Sequence, residues 1–228
     1  MADAPRRSPV LSVLFSLVWT ALEAALLAAG LGGFERLVRD PRALTLLALF
    51  ALTGMLLSVR RPSRAQDMAV KRPDPFAMAV LFVIPLLTPM AAAFGASRAL
   101  FTLPHANTVS WCGVALVAIG LTVRVSAMLQ LGPRFSPLVS VQREHALETR
   151  GLYAIVRHPG YLGALLAGFG NAVAFGSALA LPLPVVMLVA QLARIRAEEA
   201  LMAERFGDQW GAYVRRTGAL LPRPARRS

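Results

Sequence analysis

The sequence has few of the residues that build metal centres or disulfide frameworks. Its 228 residues include one cysteine and three histidines. Cys112 lies inside an apolar run, so the chain has no disulfide framework. The histidines are scattered and form no H-E-x-x-H pattern, and no paired-cysteine spacing occurs. We therefore expect no metal site.

Charge and the motifs of common soluble enzymes are also scarce. The sequence contains no G-x-S-x-G nucleophile motif and no Walker loop, which removes support for the familiar hydrolases and nucleoside triphosphatases. Charged residues make up 16% of the chain, against about 25% in ordinary soluble domains. Hydrophobic residues make up 56%. This composition, with its clustered apolar residues, favours an integral membrane protein.

The net charge of +12 does not indicate nucleic-acid binding. The basic residues flank hydrophobic segments and do not line a polar domain together with aromatic residues. This distribution is typical of membrane topology signals and of contact with anionic lipids. We therefore expect membrane lipids, and no nucleic acid, as partners.

Apolar segments predict an all-α integral membrane protein with about six transmembrane helices. The first is too long for a typical signal-peptide core and carries one charge, Glu23, near its middle. The last two are predicted to form a C-terminal helical hairpin that turns at Gly176 and Ser177. The predicted spans are 10–33, 43–59, 76–94, 108–131, 159–175 and 178–206.

Loop charge predicts the orientation of these spans. Six spans place both termini on one side, together with the polar loops 60–75 and 132–158. Only four of the 24 Lys and Arg residues fall in the loops of the other side, namely Arg36, Arg39, Arg42 and Arg98. The basic side is therefore predicted to be cytoplasmic, in the inner or cell membrane if the source is bacterial. The basic tail from Arg215 is expected to be loosely ordered.

Two polar clusters lie on either side of the apolar excursion that forms the predicted hairpin. The first ends with Arg157, His158 and Tyr161, and the second opens with Arg194, Glu198 and Glu199. If the excursion dips into a membrane and returns, both clusters lie at the same water–lipid boundary. The sequence therefore predicts one site built from both clusters.

The motif R-H-P-G-Y in the first cluster allows two interpretations. Pro159 suits the first position of a helix and biases His158 toward an extended backbone. The helix start could then offer free amides to an anion, while Gly160 and Gly163 let a ligand approach the backbone. The alternative is a plain interfacial helix cap. The motif alone does not choose between them.

Two further arginines allow similar alternatives. Arg194 and Glu198 share a helix face, so they form either a surface ion pair or a site in which each binds a different ligand group. Arg124 lies in the last two turns of the fourth span. It is either functional or paired, or it extends its charge to the nearby interface.

The motif pair G-L-Y-A-I-V-R-H-P-G-Y-L-G and R-I-R-A-E-E-A-L-M-A-E-R-F-G-D-Q-W-G-A-Y resembles the isoprenylcysteine carboxyl methyltransferase family, and more distantly the phospholipid methyltransferases. The similarity covers about residues 113–222. It implies a membrane-embedded methyltransferase that uses S-adenosylmethionine without a Rossmann domain. Residues 1–106 carry no motif of the family, and their apolar spans predict transmembrane anchor helices. Residues 107–228 are predicted to be a methyltransferase core with a cytoplasmic-side cofactor site.

The resemblance also implies roles for individual residues. Arg194 and Glu198 are implied as catalytic, and Arg194 as substrate-binding. Arg124, an arginine at membrane depth, is a further substrate-binding candidate. The implied cofactor contacts are Gln142, His145, Leu147, Tyr153, His158, Pro159, Gly160, Tyr161 and Glu198. Glu148 departs from the family pattern, which often has an apolar residue there.

The function expected from this resemblance is O-methylation of the carboxylate of a lipophilic, isoprenylcysteine-like substrate. A carboxylate is already ionised near neutral pH and needs a cation to position it, which Arg194 can supply. An amine acceptor must first lose a proton, and Glu199 is the nearby candidate base. The alternatives are therefore a phospholipid or other amine N-methyltransferase, or a non-catalytic membrane protein that retains the fold.

Overall fold

The computed structural model describes residues 9–58, 68–70, 75–132, 140–142 and 147–223. These residues form eight helices and one pair of short strands. The helices are α1 (Pro9–Leu31), α2 (Phe34–Arg39), α3 (Pro41–Ser58), α4 (Pro75–Ser97), α5 (Ala106–Leu131), α6 (Leu152–Ile155), α7 (Pro159–Val173) and α8 (Pro182–Arg216). The strands are β1 (Met68–Val70) and β2 (Ser140–Gln142).

Four helices are long and apolar enough to cross a membrane, and they correspond to the first four predicted spans. They are Leu11–Leu31, Pro41–Ser58, Ala79–Ser97 and Ala106–Leu131. Large apolar side chains on α1 point outward, with Phe15 64% and Val18 67% exposed. Such a surface is unfavourable in water and suits contact with lipid. The prediction of a helical integral membrane protein is confirmed.

The last two helices differ from the predicted hairpin in their bounds. α7 has 15 residues, fewer than the 17 or so that a typical span needs. Residues 174–181 form turns, and α8 begins at Pro182, where a proline costs little because the first N–H has no intrahelical partner. α8 continues to Arg216 across a kink at Gly207, whose φ is 48°. The kink lies one residue after position 206, where the last helix was predicted to end. The six-span count stays a prediction.

The sequence did not predict α2, α6 or the pair of strands. β1 and β2 pair antiparallel, with Met68 opposite Gln142. The two strands belong to the polar segments 60–75 and 132–158. In sequence, the first segment leads into α4 and the second follows α5. Three-residue strands in polar segments leave too short an alternating pattern to predict.

The chain divides into two compact units. The first comprises residues 1–62, 86–118 and 169–181. Within it, helices approach closely at small residues: a Cβ on Gly30 would lie 2.5 Å from the carbonyl oxygen of Met90, and one on Gly113 would lie 2.8 Å from that of Gly170. Small residues at such contacts are typical of membrane helix packing.

The second unit comprises residues 63–85, 119–168 and 182–228. Here α5 and α7 meet at Gly120 and Gly163, where an added Cβ on either glycine would lie 2.5 Å from the other's carbonyl oxygen. α7 and α8 meet where Gly168 faces Met187. These contacts set the position of the α7 start relative to α5 and α8, and all the polar residues discussed next belong to this unit.

Candidate active site

Val156 has an extended backbone, and the segment Val156–His158 is held by the residues that follow α8. Val156 forms a parallel bridge with Gly218. The N–H of Arg157 donates to the carbonyl of Gly218 at 2.8 Å, and the N–H of His158 donates to that of Ala219 at 3.0 Å. The tail up to Arg223 is therefore built into the structure, and the prediction of a loosely ordered tail is wrong for these residues.

α7 starts at Pro159, and two N–H groups of its first turn are already engaged. The N–H groups of Tyr161 and Leu162 both donate to the carbonyl of His158, at 3.1 and 3.0 Å. The expectation that this helix start offers a row of free amides to an anion is therefore wrong for these two groups. Gly160, by contrast, faces open space among the described residues, since an added Cβ would meet none of them within 4 Å.

Gly163 does not serve the purpose expected from the sequence. An added Cβ there would lie 2.6 Å from the backbone nitrogen of Arg124. Gly163 therefore permits the close approach of α5 and α7, and a ligand has no room beside it. Of the two glycines in the motif, only Gly160 borders space that a ligand could enter.

Tyr161, Arg194 and Glu198 form one hydrogen-bonded group between α7 and α8. The phenol of Tyr161 donates to Oε1 of Glu198 at 2.5 Å. The Nε of Arg194 donates to the phenol oxygen at 2.5 Å and to the same carboxylate oxygen at 3.4 Å. Arg194 is buried, being 9% exposed, so its guanidinium is held away from bulk water by these contacts. This arrangement goes beyond a surface ion pair.

His158, also buried, lies between the two carboxylates of α8. Its Nε2 is 3.1 Å from Oε1 of Glu199, and its Nδ1 is 3.7 Å from Oε2 of Glu198. Arg157 donates from Nε to the same Glu199 oxygen at 2.8 Å, and it also bonds to the carbonyl of Thr217. The hydrogen bonds from His158 and Arg157 lower the pKa of Glu199 to about 2. Glu199 is therefore a fixed anion at neutral pH.

Arg124 is paired with the start of α7. Its guanidinium donates to the carbonyl of Gly160 at 3.1 Å. Arg124 also lies within interaction range of Tyr161 and Arg194. Of the alternatives for this arginine, the structure supports the paired one, because the charge is directed into the protein. Its assignment as a substrate-binding residue stays a prediction.

Tyr153 is buried beside the C-terminal part of α8. Its phenol donates to the carbonyl of Ala127 at 3.4 Å, and its own carbonyl accepts from the phenol of Tyr213 at 2.6 Å. Burial raises the pKa of Tyr213 to about 12, so this phenol stays a donor at neutral pH. Tyr213 in turn borders an open cleft of about 500 Å³. The cleft is lined by Leu147, Thr149, Phe206, Gln209, Ala212, Tyr213 and Arg216.

The structure brings both polar clusters together, and Pro159 and Gly160 lie beside them. Leu147 and Tyr153 lie beside Tyr213, which in turn interacts with Arg157 of the first cluster. Gln142 is seen only as the last residue of β2, without a described side chain, and His145 lies outside the described residues.

Several residues at the site were given no role by the family resemblance. Arg157 and Glu199 belong to the two polar clusters, so the sequence did carry a signal for them. Thr217, Gly218 and Ala219 act through their backbone carbonyls, which leave no signature in a sequence.

Comparison with known proteins supports the resemblance. Residues 108–209 match the family model of phospholipid methyltransferases. The chain is 34% identical over 114 residues to the protein-S-isoprenylcysteine O-methyltransferase of Schizosaccharomyces pombe. It is 33% identical over 119 residues to protein-S-isoprenylcysteine O-methyltransferase B of Arabidopsis thaliana. These matches include 48% and 50% of this chain.

The chain covers only 48% and 59% of the lengths of these two relatives. A solved structure, that of the eukaryotic intramembrane Ras methyltransferase isoprenylcysteine carboxyl methyltransferase, matches with a TM-score of 0.54 at 22% identity. That match covers 87% of this chain and 72% of the other, and it shows that the fold is shared. The resemblance to the isoprenylcysteine carboxyl methyltransferase family is confirmed.

Proposed function

We propose that the protein is an S-adenosylmethionine-dependent methyltransferase of the membrane. In this proposal it O-methylates the carboxylate of a lipophilic, isoprenylcysteine-like substrate. The observation that carries it is the buried Arg194, which donates hydrogen bonds to Tyr161 and Glu198. These residues lie at the point where the apolar half of α8 becomes charged. A substrate with a lipid tail and an anionic head group suits this boundary.

The residues around α7 fit S-adenosylmethionine. Gly160 borders open space, and the carboxylate of Glu198, 23% exposed, lies on the facing helix. A carboxylate in this position can attract the cationic groups of the cofactor. When bound, the cofactor supplies a methyl group attached to a positively charged sulfur. The chain's own residues then hold and orient the reactants, which can lower a barrier by about 7–11 kcal/mol.

The environment of Glu199 favours a carboxylate acceptor over an amine. An ammonium group must lose its proton before it can be methylated. With a pKa of about 2, Glu199 is a weak base, and its Oε1 already accepts from both His158 and Arg157. A carboxylate acceptor requires no base, only a cation such as Arg194 to place it.

The membrane orientation is part of the proposal. β1 and β2 belong to the segments 60–75 and 132–158 and pair with each other, which supports the placement of both segments on one side. The charge distribution then supports a cytoplasmic site and cytoplasmic termini. In this arrangement residues 1–106 anchor the chain and residues 107–228 form the methyltransferase core.

Methyl transfer from labelled S-adenosylmethionine tests this function. We expect label in a base-labile ester of an S-prenylated thiol acid when the purified protein is supplied with that acid. Extracted phospholipids should be tested in parallel, because residues 108–209 match the phospholipid methyltransferase model. Label in an amine would favour that second function. Cofactor binding without transfer to any acceptor would contradict both.

A further inference from the structure

Gln191 is a buried polar residue of α8 with an unsatisfied acceptor. It is 1% exposed, and its Oε1 has no hydrogen-bond partner among the residues that the structure describes. Buried polar side chains in folded proteins are nearly always hydrogen-bonded, because an unpaired acceptor has lost its water without compensation. The amide oxygen of Gln191 is therefore a candidate contact for a donor that the structure does not contain.

The position of Gln191 connects it to the candidate active site. Gln191 precedes Arg194 by three residues and Glu198 by seven, so the three share one face of α8. Along the helix axis, Gln191 lies about 4.5 Å from the level of Arg194 and about 10.5 Å from that of Glu198. It lies on the apolar side of Arg194, where Met187 continues the same buried face.

This order along the helix matches the order of groups in the proposed acceptor. Glu198 lies toward the cofactor side, Arg194 faces the anionic head group, and Gln191 follows in the direction of the lipid tail. The unpaired atom is an acceptor, so its partner is a donor. Because an ammonium group is costly to bury in an apolar setting, a neutral amide N–H is the suitable donor.

We propose that Gln191 is a specificity-determining residue. Its amide oxygen accepts a hydrogen bond from an N–H next to the carboxylate of the acceptor, while Arg194 holds the carboxylate. This inference rests on the proposed function and adds the chemistry that the acceptor carries between its head group and its lipid tail. A site with a buried acceptor discriminates against analogues that leave it unpaired.

Two acceptors and two variants test the proposal. The acceptors are an N-acyl S-prenyl cysteine and the same acid with CH₂ in place of the amide N–H. Gln191→Met keeps the side-chain length and removes the acceptor. Leu192→Met is the matched control, since Leu192 is adjacent, 38% exposed and outside the candidate site.

For Gln191→Met we expect the KM for the N-acyl acid to rise about 3- to 10-fold, with little change for the CH₂ analogue. The cofactor Kd should be unchanged. The substrate-free variant should melt at the same temperature as the wild type or higher, because the substitution removes an amide oxygen that is buried without a partner. A large loss of thermal stability would assign Gln191 a structural role, and a weakened cofactor Kd would place its contact on the cofactor. Either result overturns the proposal.

Binding separates this inference from the proposed function. Both acids can be tested as ligands by the shift that they cause in the melting temperature of wild type and variant. If no acid is methylated, the proposed function fails, but a wild-type shift that favours the N–H acid and is lost in Gln191→Met still supports the role of Gln191. Equal shifts for both acids, or none for either, would overturn it.

Discussion

The phenol of Tyr161 donates a hydrogen bond of 2.5 Å to the carboxylate of Glu198, and this bond joins the first turn of α7 to the charged half of α8. The two residues are 37 positions apart in sequence. Tyr161 follows the R-H-P-G motif and Glu198 follows Arg194 by one helical turn. The bond therefore connects the two polar clusters directly, and it orients the carboxylate that we propose as a cofactor contact.

Glu198→Gln should weaken binding of S-adenosylmethionine. The variant keeps the size of the side chain but removes the negative charge that attracts the cationic cofactor, and charge-assisted hydrogen bonds are about twice as strong as neutral ones. We expect the Kd from calorimetry in detergent to rise about tenfold or more. Glu204→Gln, an exposed site on the same helix, is the control. An unchanged Kd for Glu198→Gln would reduce Glu198 to a structural partner of Tyr161.

Much of this site could be predicted from the sequence because its side chains carry charge. Arg157 to Tyr161 and Arg194 to Glu199 stand at the two ends of one apolar stretch, and that pattern predicts their meeting. The first four spans were equally predictable from their length and composition. The contacts of Gly218 and Ala219 were not, because backbone carbonyls have no residue preference. Gln191 was missed because a single polar residue in an apolar helix shows its importance only once its burial is known.

Reporter fusions test the proposed orientation. A fusion at Ser228 and one within residues 96–106 should report opposite sides of the membrane, with Ser228 cytoplasmic. The physical reason is the excess of Lys and Arg in the segments that we place in the cytoplasm. The same side for both fusions would contradict the six-span arrangement.

Acid should remove the contribution of Glu199 to stability. Its folded-state pKa is about 2, below the ordinary value of 4.5, so the ionised form is stabilised by folding. The stabilisation is therefore present above about pH 4.5 and is lost as the pH falls from there toward 2. We expect Glu199→Gln to melt below the wild type at pH 7, with a difference that narrows in melts at pH 4 and pH 3. A difference independent of pH would assign the effect to packing.

Truncation should show that the tail supports the site. Ending the chain after Arg216 removes the carbonyls of Thr217, Gly218 and Ala219, which accept from Arg157 and His158. We expect lower methyl transfer and a lower melting temperature, because those buried donors lose their partners. Ending the chain after Arg223 keeps all three and should leave both quantities close to the wild type. Equal behaviour of the two truncations would show that the tail is dispensable.

Arg194→Lys addresses the identity of the acceptor. The substitution keeps the positive charge but removes the planar fork and the Nε donor that now bonds to Tyr161 and Glu198. If Arg194 places a carboxylate against the methyl donor, the loss falls on the transition state. We then expect kcat to drop about 100-fold or more, with cofactor Kd within about twofold of the wild type.

Arg196→Lys is the matched control, because Arg196 is exposed on the same helix and should tolerate the change. Single-turnover methyl transfer and calorimetry on the same preparations separate chemistry from cofactor binding. If the lysine variant keeps full turnover, the planar guanidinium of Arg194 is not required for methyl transfer. In that case a point charge suffices, the main argument for a carboxylate acceptor is lost, and amines become the acceptors to test next.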